Sequence, residues 1–216
     1  MRPIISIVGK SESGKTTLLE KLIIELKQRG YRVAVIKHTS EDIELDTEGK
    51  DTWRFSQVGS DVVAISSGKG LAIMKKLERD LSPQELSRFI AWDYDIMLAE
   101  GFKKSDTVKI EVHRREQGEK LLSSPRQLLA VVTDEPLDVN VPQFSKDEVQ
   151  KLTDLIENRL LAEGMGDDVN LSVNEAHIHL KPFTRNFIAE TLFGMISSLN
   201  GVKKVKSLHI SLRRKS

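Results

Sequence analysis

The sequence contains no cysteine among its 216 residues and is poor in aromatic side chains, with only two tryptophans and two tyrosines. Without thiols the chain can form neither disulfides nor thiolate metal sites, and no cysteine nucleophile is available for catalysis. No uninterrupted apolar run approaches the roughly 20 residues that a bilayer-spanning helix needs. The 33 basic residues nearly balance the 32 acidic ones, so the net charge of +1 gives no overall field that would attract nucleic acid or an anionic membrane. We therefore expect a cytoplasmic protein that binds neither.

Apolar segments alternate with helical periodicity through the first three quarters of the chain. The run IISIV (Ile4–Val8) does not alternate with polar residues, which indicates a strand buried on both faces of a sheet. Leucines at helical spacing follow, up to Gly30, a glycine placed to end a helix. Further strands are expected at residues 31–37, 61–66, 94–100, 108–113 and 128–133, with helices at 82–92 and 145–164. Because helices separate these strands, the sequence predicts a three-layer α/β/α domain with a mainly parallel sheet.

The composition changes at EGMGDD, residues 163–168, which is acidic and rich in glycine. Beyond it, two short alternating segments at 168–174 and 176–181 predict a hairpin. A helix is expected next, with a proline near its start and Gly201 after its end, and a final alternating segment follows. We therefore expect two domains, residues 1–163 and a small α+β (ββαβ) appendage at 167–216. An appendage of about 50 residues is near the lower size limit for independent folding.

The clearest motif, GKSESGKT, lies between the first predicted strand and the first predicted helix. It fits the phosphate-loop (P-loop) pattern G-x-x-x-x-G-K-[ST] through Gly9, Gly14, Lys15 and Thr16. Glycines let successive amides turn inward around a phosphate, and the following helix presents unpaired N–H groups and its positive dipole end to the same anion. Lys15 is expected to reach the β- and γ-phosphates of a nucleotide, and the Thr16 hydroxyl to bind Mg²⁺. The pattern predicts a P-loop NTPase fold but is shared by kinases, ATPases and GTPases.

Two further stretches carry functional groups at the predicted carboxyl ends of strands, the edge where ligands bind in such sheets. The first, KHTSEDIELDTEGKDTWRF at 37–55, is dense in charged side chains for a connecting loop. The second, DIMLAEGFKK at 95–104, ends a predicted strand in Glu100, whose carboxylate could hold magnesium through water or orient an attacking water. No arginine stands out near the phosphate loop, so we expect slow turnover, with Arg54 or a partner as the candidate source of a catalytic arginine.

The segments SGKTTLL, KHT…D…D…GKD, AEGFKK…VKIEVHR and VVTDEPLD together resemble the molybdopterin-guanine dinucleotide biosynthesis protein B (MobB) family, over about residues 3–160. The resemblance implies a GTP-binding protein, typically a homodimer, with weak GTPase activity and bound Mg²⁺. It further implies that the protein acts mainly as an adaptor for a MobA-type guanylyltransferase, which attaches GMP to molybdopterin in molybdenum cofactor biosynthesis. Molybdopterin and molybdoenzymes are further binding partners that the resemblance suggests.

Site residues are carried over from the family motifs position by position. The resemblance assigns nucleotide binding to the following residues: Gly9, Lys10, Ser11, Glu12, Ser13, Gly14, Lys15, Thr16, Thr17, Lys37, His38 and Asp134. Lys15 and Glu100 are the expected catalytic residues, and Thr16, Asp46 and Glu100 the expected metal-binding residues. A carboxylate at Asp134 would accept the two guanine N–H donors that adenine lacks. The chain has Ser40 and Glu41 where family members often carry further histidines, so a role that depends on those imidazoles does not carry over.

Two other function classes stay open at this point. A small-molecule kinase would use Asp42, Asp46 and Asp51 to hold an acceptor hydroxyl, although the arginine-rich lid of such kinases is not evident. A nucleotide-regulated metallochaperone would use His38 and the neighbouring acids as metal ligands. A phosphotransfer screen would reveal the kinase, and stoichiometric nickel or zinc retained after dialysis would reveal the metallochaperone.

Overall fold

The protein is described here from a computed structural model of the chain. The structure describes residues 2–41, 43, 46–90, 94–118, 120–161, 169, 171–173, 176–178, 180–202, 205, 208 and 210. The predicted site residue Asp42, the stretch 163–168 and most of the final alternating segment lie outside the described residues. The chain divides into two compact units, Ile4–Thr153 and Met1–Pro3 with Asp154–Ser216. The predicted division at residues 163–167 stays a prediction.

The elements follow one another in the order expected for an α/β domain with a small extension. In chain order they are β1 (Ile4–Val8), α1 (Lys15–Gln28), β2 (Val33–Lys37), α2 (Asp51–Gln57), β3 (Val62–Ser67), β4 (Gly70–Lys75), α3 (Pro83–Leu86), β5 (Ile96–Glu100), β6 (Val108–Val112), β7 (Leu128–Val132), β8 (Gln143–Phe144), α4 (Val149–Ile156), β9 (Leu171–Val173), β10 (Ala176–Ile178) and α5 (Pro182–Ser197). Every helix among the described residues is too short or too polar to cross a bilayer.

Six strands form the main sheet in the order β2-β5-β1-β6-β7-β8, and every pairing between neighbours is parallel. The prediction of a mainly parallel α/β sheet is therefore confirmed. All five residues of β1 are buried, which is the reason that its sequence lacks alternation. Helix α1 buries four leucines and contacts β1, β2 and β5. The short edge strand β8 was not expected from the sequence.

The strand expected at 61–66 is present as β3, but it pairs antiparallel with β4 in a separate two-stranded hairpin. The partner strand was missed, although Gly68 and Lys69 form a two-residue connection flanked by serine and glycine, which is a hairpin signal. Register places Val62, Ala64, Leu71 and Ile73 on one face of this hairpin. Val62, Leu71 and Ile73 are 49%, 66% and 57% exposed, so this face presents three exposed apolar side chains, with Ser66 and Lys75 beside them.

Helix α3 begins where the sequence predicts and ends much earlier. Ser82 accepts a hydrogen bond from the Glu85 amide, and the Glu85 carboxylate accepts one from the Ser82 amide, so the predicted cap of serine, proline and glutamate is present. The helix covers only Pro83–Leu86 instead of extending to residue 92. Leu86 and Ile90 pack against a buried cluster on the sheet that includes Ile4, Ile36 and Met97.

The second unit contains the antiparallel hairpin β9–β10 and the helix α5. Both were predicted, with a proline at the start of α5 and Gly201 beyond its end. Phe183 and Phe187 lie one turn apart on α5 with their ring centroids 6.4 Å apart. The helix predicted at 145–164 is present as α4, which continues into a π-helical turn at Glu157–Leu161.

Candidate functional site

The topology brings four chain segments to one edge of the sheet. Strand β1 lies between β5 and β6, and β7 follows β6, all in the same direction. The phosphate loop at 9–14, the turn after Glu100, the segment after Val112 and the turn at Thr133 therefore leave the sheet at the same edge. Ligands bind at this edge in open parallel sheets, so the candidate site is built here.

The phosphate loop depends on glycine at both of its ends. A Cβ on Gly9 would collide with the Val112 carbonyl oxygen and would lie 2.6 Å from the Ser13 Oγ. Gly14 has φ 95°, which disfavours any residue with a side chain, and it precedes α1 as an N-cap without a side-chain acceptor. No acidic residue lies in the first turn of α1. The first amides of α1 are consequently presented to the loop with their positive partial charge, which suits a bound phosphate.

Lys15 extends back across the loop, and its Nζ donates to the Lys10 carbonyl oxygen at 2.6 Å. Desolvation by burial lowers the pKa of Lys15, Glu100 opposes this shift, and Lys103 and Lys37 add to it. The ammonium is therefore partly stripped of water and satisfied by a neutral carbonyl. A phosphate oxygen in the loop would replace that carbonyl with a charged acceptor.

Glu100, at the end of β5, meets the start of α1. The Thr16 Oγ1 lies 3.3 Å from both carboxylate oxygens of Glu100, and the Lys37 Nζ lies 3.7 Å from its Oε1. Three of the predicted site residues are thus brought together beside the phosphate loop. A hydroxyl and a carboxylate are the kind of oxygen ligands that Mg²⁺ takes from proteins when waters and phosphate oxygens complete its shell. The residues present fit a magnesium ion bound to a nucleotide.

The turn that follows Glu100 is held in an uncommon conformation. Gly101 and Phe102 have φ values of 92° and 55°, and the Gly101 amide donates to the Ile7 carbonyl oxygen at 3.0 Å. A buried phenylalanine with positive φ is a strained residue that the surrounding packing must stabilise. The Phe102 ring centroid lies 5.0 Å from that of His38, whose Nε2 lies 3.4 Å from the Asp80 Oδ2. His38 thus lies beside the Glu100 turn, with its imidazole directed to Asp80.

Two predicted site residues lie apart from the Thr16–Glu100 pair. Asp46 stays within its own loop, where a hydrogen bond from Thr52 and one from the Thr47 amide lower its pKa. No hydrogen bond joins it to Thr16 or Glu100. Asp134 follows β7 with an exposed side chain, and its Oδ1 accepts a hydrogen bond from the Arg115 amide at 3.2 Å. Among the described residues, no group of three or more histidines and acids is arranged to hold a metal ion.

The structure adds one residue that was not expected in the site. Arg114 follows β6, and its Nε donates to the Ser13 carbonyl oxygen at 3.0 Å. In the sequence, Arg114 ends the segment VKIEVHR that carries part of the family resemblance, but no site role was assigned to it. Arg114 lies two residues beyond β6. Its position would predict a contact with the phosphate loop if the pairing of β6 with β1 were known.

Comparisons with known proteins identify the family of the chain. The family model for molybdopterin guanine dinucleotide synthesis protein B, MobB, matches residues 4–134, which include the phosphate loop, Glu100 and Arg114. The molybdopterin-guanine dinucleotide biosynthesis adapter protein of Haemophilus influenzae is 40% identical over 73% of this chain and 89% of its own length. The Escherichia coli protein of the same name is 35% identical over 72% of this chain and 92% of its own length.

A solved structure of molybdopterin-guanine biosynthesis protein B (mobB) superimposes with a TM-score of 0.55 at 32% identity, over 72% of this chain and 98% of that one. The sequence match and the structural match cover the same share of this chain. The chain belongs to the MobB family of P-loop proteins.

Proposed function

We propose that this protein is a GTP-binding adaptor of molybdopterin guanine dinucleotide biosynthesis that assists a MobA-type guanylyltransferase. The observation that carries the proposal is the meeting of Thr16, Glu100 and Lys37 beside a phosphate loop whose lysine is already partly desolvated. The relatives named as adapter proteins of this pathway support the biological role.

In this proposal, each group of the site binds a particular part of the nucleotide's phosphate chain or its magnesium ion. The loop amides and the first amides of α1 enclose the phosphates, while Lys15 exchanges the Lys10 carbonyl for a phosphate oxygen. Thr16 would bind magnesium directly and Glu100 through water; when bound, the ion would offset the negative charge on the terminal phosphates. Lys37 lies within reach of the same carboxylate and adds a second cation. A site of this kind is expected to hydrolyse GTP slowly when no arginine acts on the terminal phosphate.

The base is the source of the preference for GTP over ATP. Asp134 leaves the sheet one strand beyond the Arg114 segment, and a carboxylate there accepts hydrogen bonds from N1 and N2 of guanine. Adenine offers no N–H donor at those positions, so it would gain neither of these two hydrogen bonds to the carboxylate.

We therefore expect calorimetric titration with Mg²⁺ to give about 10- to 100-fold tighter binding of GTP than of ATP. Asp134→Asn should remove most of this preference, because the amide supplies a donor where two acceptors are needed. Asp138→Asn, an exposed acid of the same turn region, is the matched control and should keep the preference. Equal affinity of the native chain for the two nucleotides would contradict the proposed base recognition.

The apolar face of the β3–β4 hairpin supports a homodimer. Val62, Leu71 and Ile73 are exposed apolar residues that share one face of this hairpin with Ala64, Ser66 and Lys75, on the unit that also carries the phosphate loop. A cluster of exposed apolar side chains of this kind is a candidate contact surface for a partner. A second copy of the chain offers the same face, which gives a two-fold symmetric contact.

The proposed partners are tested together by light scattering and by activity. The chain alone should have twice the mass of one 24.4 kDa protomer, and adding a MobA-type guanylyltransferase should produce a larger complex. Guanylyl transfer to molybdopterin should rise several-fold when the native chain is added, but not when Lys15→Ala is added. A monomer in solution contradicts the dimer, and unchanged transfer with every MobA-type enzyme tried contradicts the adaptor role.

A further inference from the structure

The side chain of Arg114 is fixed against the phosphate loop. Strand β6 runs parallel beside β1, and the chain continues in an extended conformation through Arg114, with φ −130° and ψ 138°. Its Nε donates to the Ser13 carbonyl oxygen at 3.0 Å. Its Nη2 lies 3.1 Å from the place that a Cβ on Gly14 would occupy. The guanidinium therefore covers the last residue before helix α1.

Among the described residues, no carboxylate forms an ion pair with the outer edge of this guanidinium. Within the part of the chain that the structure describes, the bond from Nε to Ser13 is the only hydrogen bond or ion pair of the Arg114 side chain. Its neighbour Arg115 differs, because the Arg115 Nε lies 3.2 Å from the Glu135 Oε2. A half-buried guanidinium against the residue that precedes a helix N-terminus adds its charge to the positive end of the helix dipole. The terminal nitrogens of a guanidinium form a fork of parallel N–H donors. An anion with two adjacent oxygen acceptors suits this fork.

The strand order tells which part of a nucleotide this fork would meet. Glu100 and Thr16 lie on the β5 side of the phosphate loop, Arg114 lies on the β6 side, and Asp134 lies beyond it at the end of β7. A nucleotide with its terminal phosphate and metal at Glu100 and its base at Asp134 passes Arg114 between the two. The segment of the nucleotide between them consists of the α,β-diphosphate and the ribose, and the diphosphate is the anionic part that a guanidinium would bind.

We propose that Arg114 is a phosphate ligand supplied by the chain itself, with its Nε holding the phosphate loop through Ser13 and its terminal nitrogens binding the α,β-diphosphate. This inference rests on the proposed function, since it takes a guanine nucleotide as the ligand. It differs from an arginine finger, which acts on the transferred γ-phosphate and leaves diphosphate affinity unchanged. Arg114 should strengthen GDP and GTP binding alike.

The substitution Arg114→Gln separates the two halves of this side chain. The glutamine Nε2 takes the position of the arginine Nε and can still donate to Ser13, while the charged fork is lost. Calorimetric titration should show GDP and GTP binding weakened alike by about 10- to 100-fold. The thermal midpoint of the nucleotide-free protein should stay within a degree or two of the native value. Arg126→Gln removes the same charge from an exposed position in the segment after β6, and should bind both nucleotides as the native chain does.

Several results would overturn the inference. Native affinity of Arg114→Gln for both GDP and GTP would mean that the side chain only holds the loop, and native affinity for GDP with weakened affinity for GTP would place its contact on the γ-phosphate. If Arg114→Gln unfolds early, Arg114→Lys provides the second test, because it keeps the charge without the fork. Arg114→Lys should bind GDP more weakly than the native chain, and unchanged affinity counts against the inference. Absence of guanine nucleotide binding by the native chain instead overturns the proposed function, and the Arg114 contact with it.

Discussion

Replacing Lys15 with alanine should weaken GTP binding by roughly 100- to 1,000-fold, which corresponds to about 3–4 kcal/mol. The expected loss is large because this ammonium is already partly desolvated, as its lowered pKa indicates, and because it donates to the neutral Lys10 carbonyl. Exchange of that acceptor for a phosphate oxygen creates a charge-assisted bond at little further cost in desolvation. The measurement is calorimetric titration of GTP into each variant in the presence of Mg²⁺.

The matched control is Lys21→Ala, which removes the same charge from α1. The Lys21 Nζ pairs with the Asp147 Oδ1 at 3.0 Å on the surface, so this substitution should leave GTP affinity within about twofold of the native value. Nucleotide-free Lys15→Ala should stay folded, since it loses one partly exposed hydrogen bond. Native GTP affinity in Lys15→Ala would show that the phosphates bind elsewhere, and the proposed site would be wrong.

The features that the sequence predicts well are those set by neighbours in the chain. The buried strand β1, the helix α1 and the serine–glutamate cap of α3 each depend on a few adjacent residues. Their prediction needs only the apolar spacing and the capping residues, and all three are present in the structure. The same local signals predicted the β9–β10 hairpin and α5.

The features that were missed depend on pairing between distant segments. Arg114 meets Ser13 across 101 positions of sequence, and this contact exists only because β6 pairs with β1 instead of another strand. Nothing within either segment specifies that pairing. Strand β4 is an exception, because it pairs with its sequence neighbour β3 across the two-residue connection of Gly68 and Lys69, and a local signal for it was therefore present. Asp46 is the opposite case. A motif assigned it to the metal site, but its hydrogen bond is with the neighbouring Thr47 amide and not with Thr16.

Replacing Glu100 with glutamine should remove most of the effect of magnesium on this site. The Glu100 carboxylate lies 3.3 Å from the Thr16 Oγ1 and 3.7 Å from the Lys37 Nζ. Its negative charge attracts both the magnesium ion and the Lys37 ammonium. Glutamine keeps the shape but loses the charge. The ratio of GTP affinity with Mg²⁺ to GTP affinity with a chelator should fall about 10- to 100-fold, and GTP hydrolysis should fall about 100-fold.

The two conditions of this experiment separate metal binding from phosphate binding. With a chelator present, Glu100→Gln should bind GTP at least as tightly as the native chain, because a negative charge beside the phosphates has been removed. Glu20→Gln is the matched control, since it makes the same change on the exposed face of α1 and should keep the native dependence on magnesium. An unchanged magnesium dependence in Glu100→Gln would mean that the metal is held without β5. A native rate of GTP hydrolysis in Glu100→Gln would likewise mean that the carboxylate at the end of β5 has no part in the reaction.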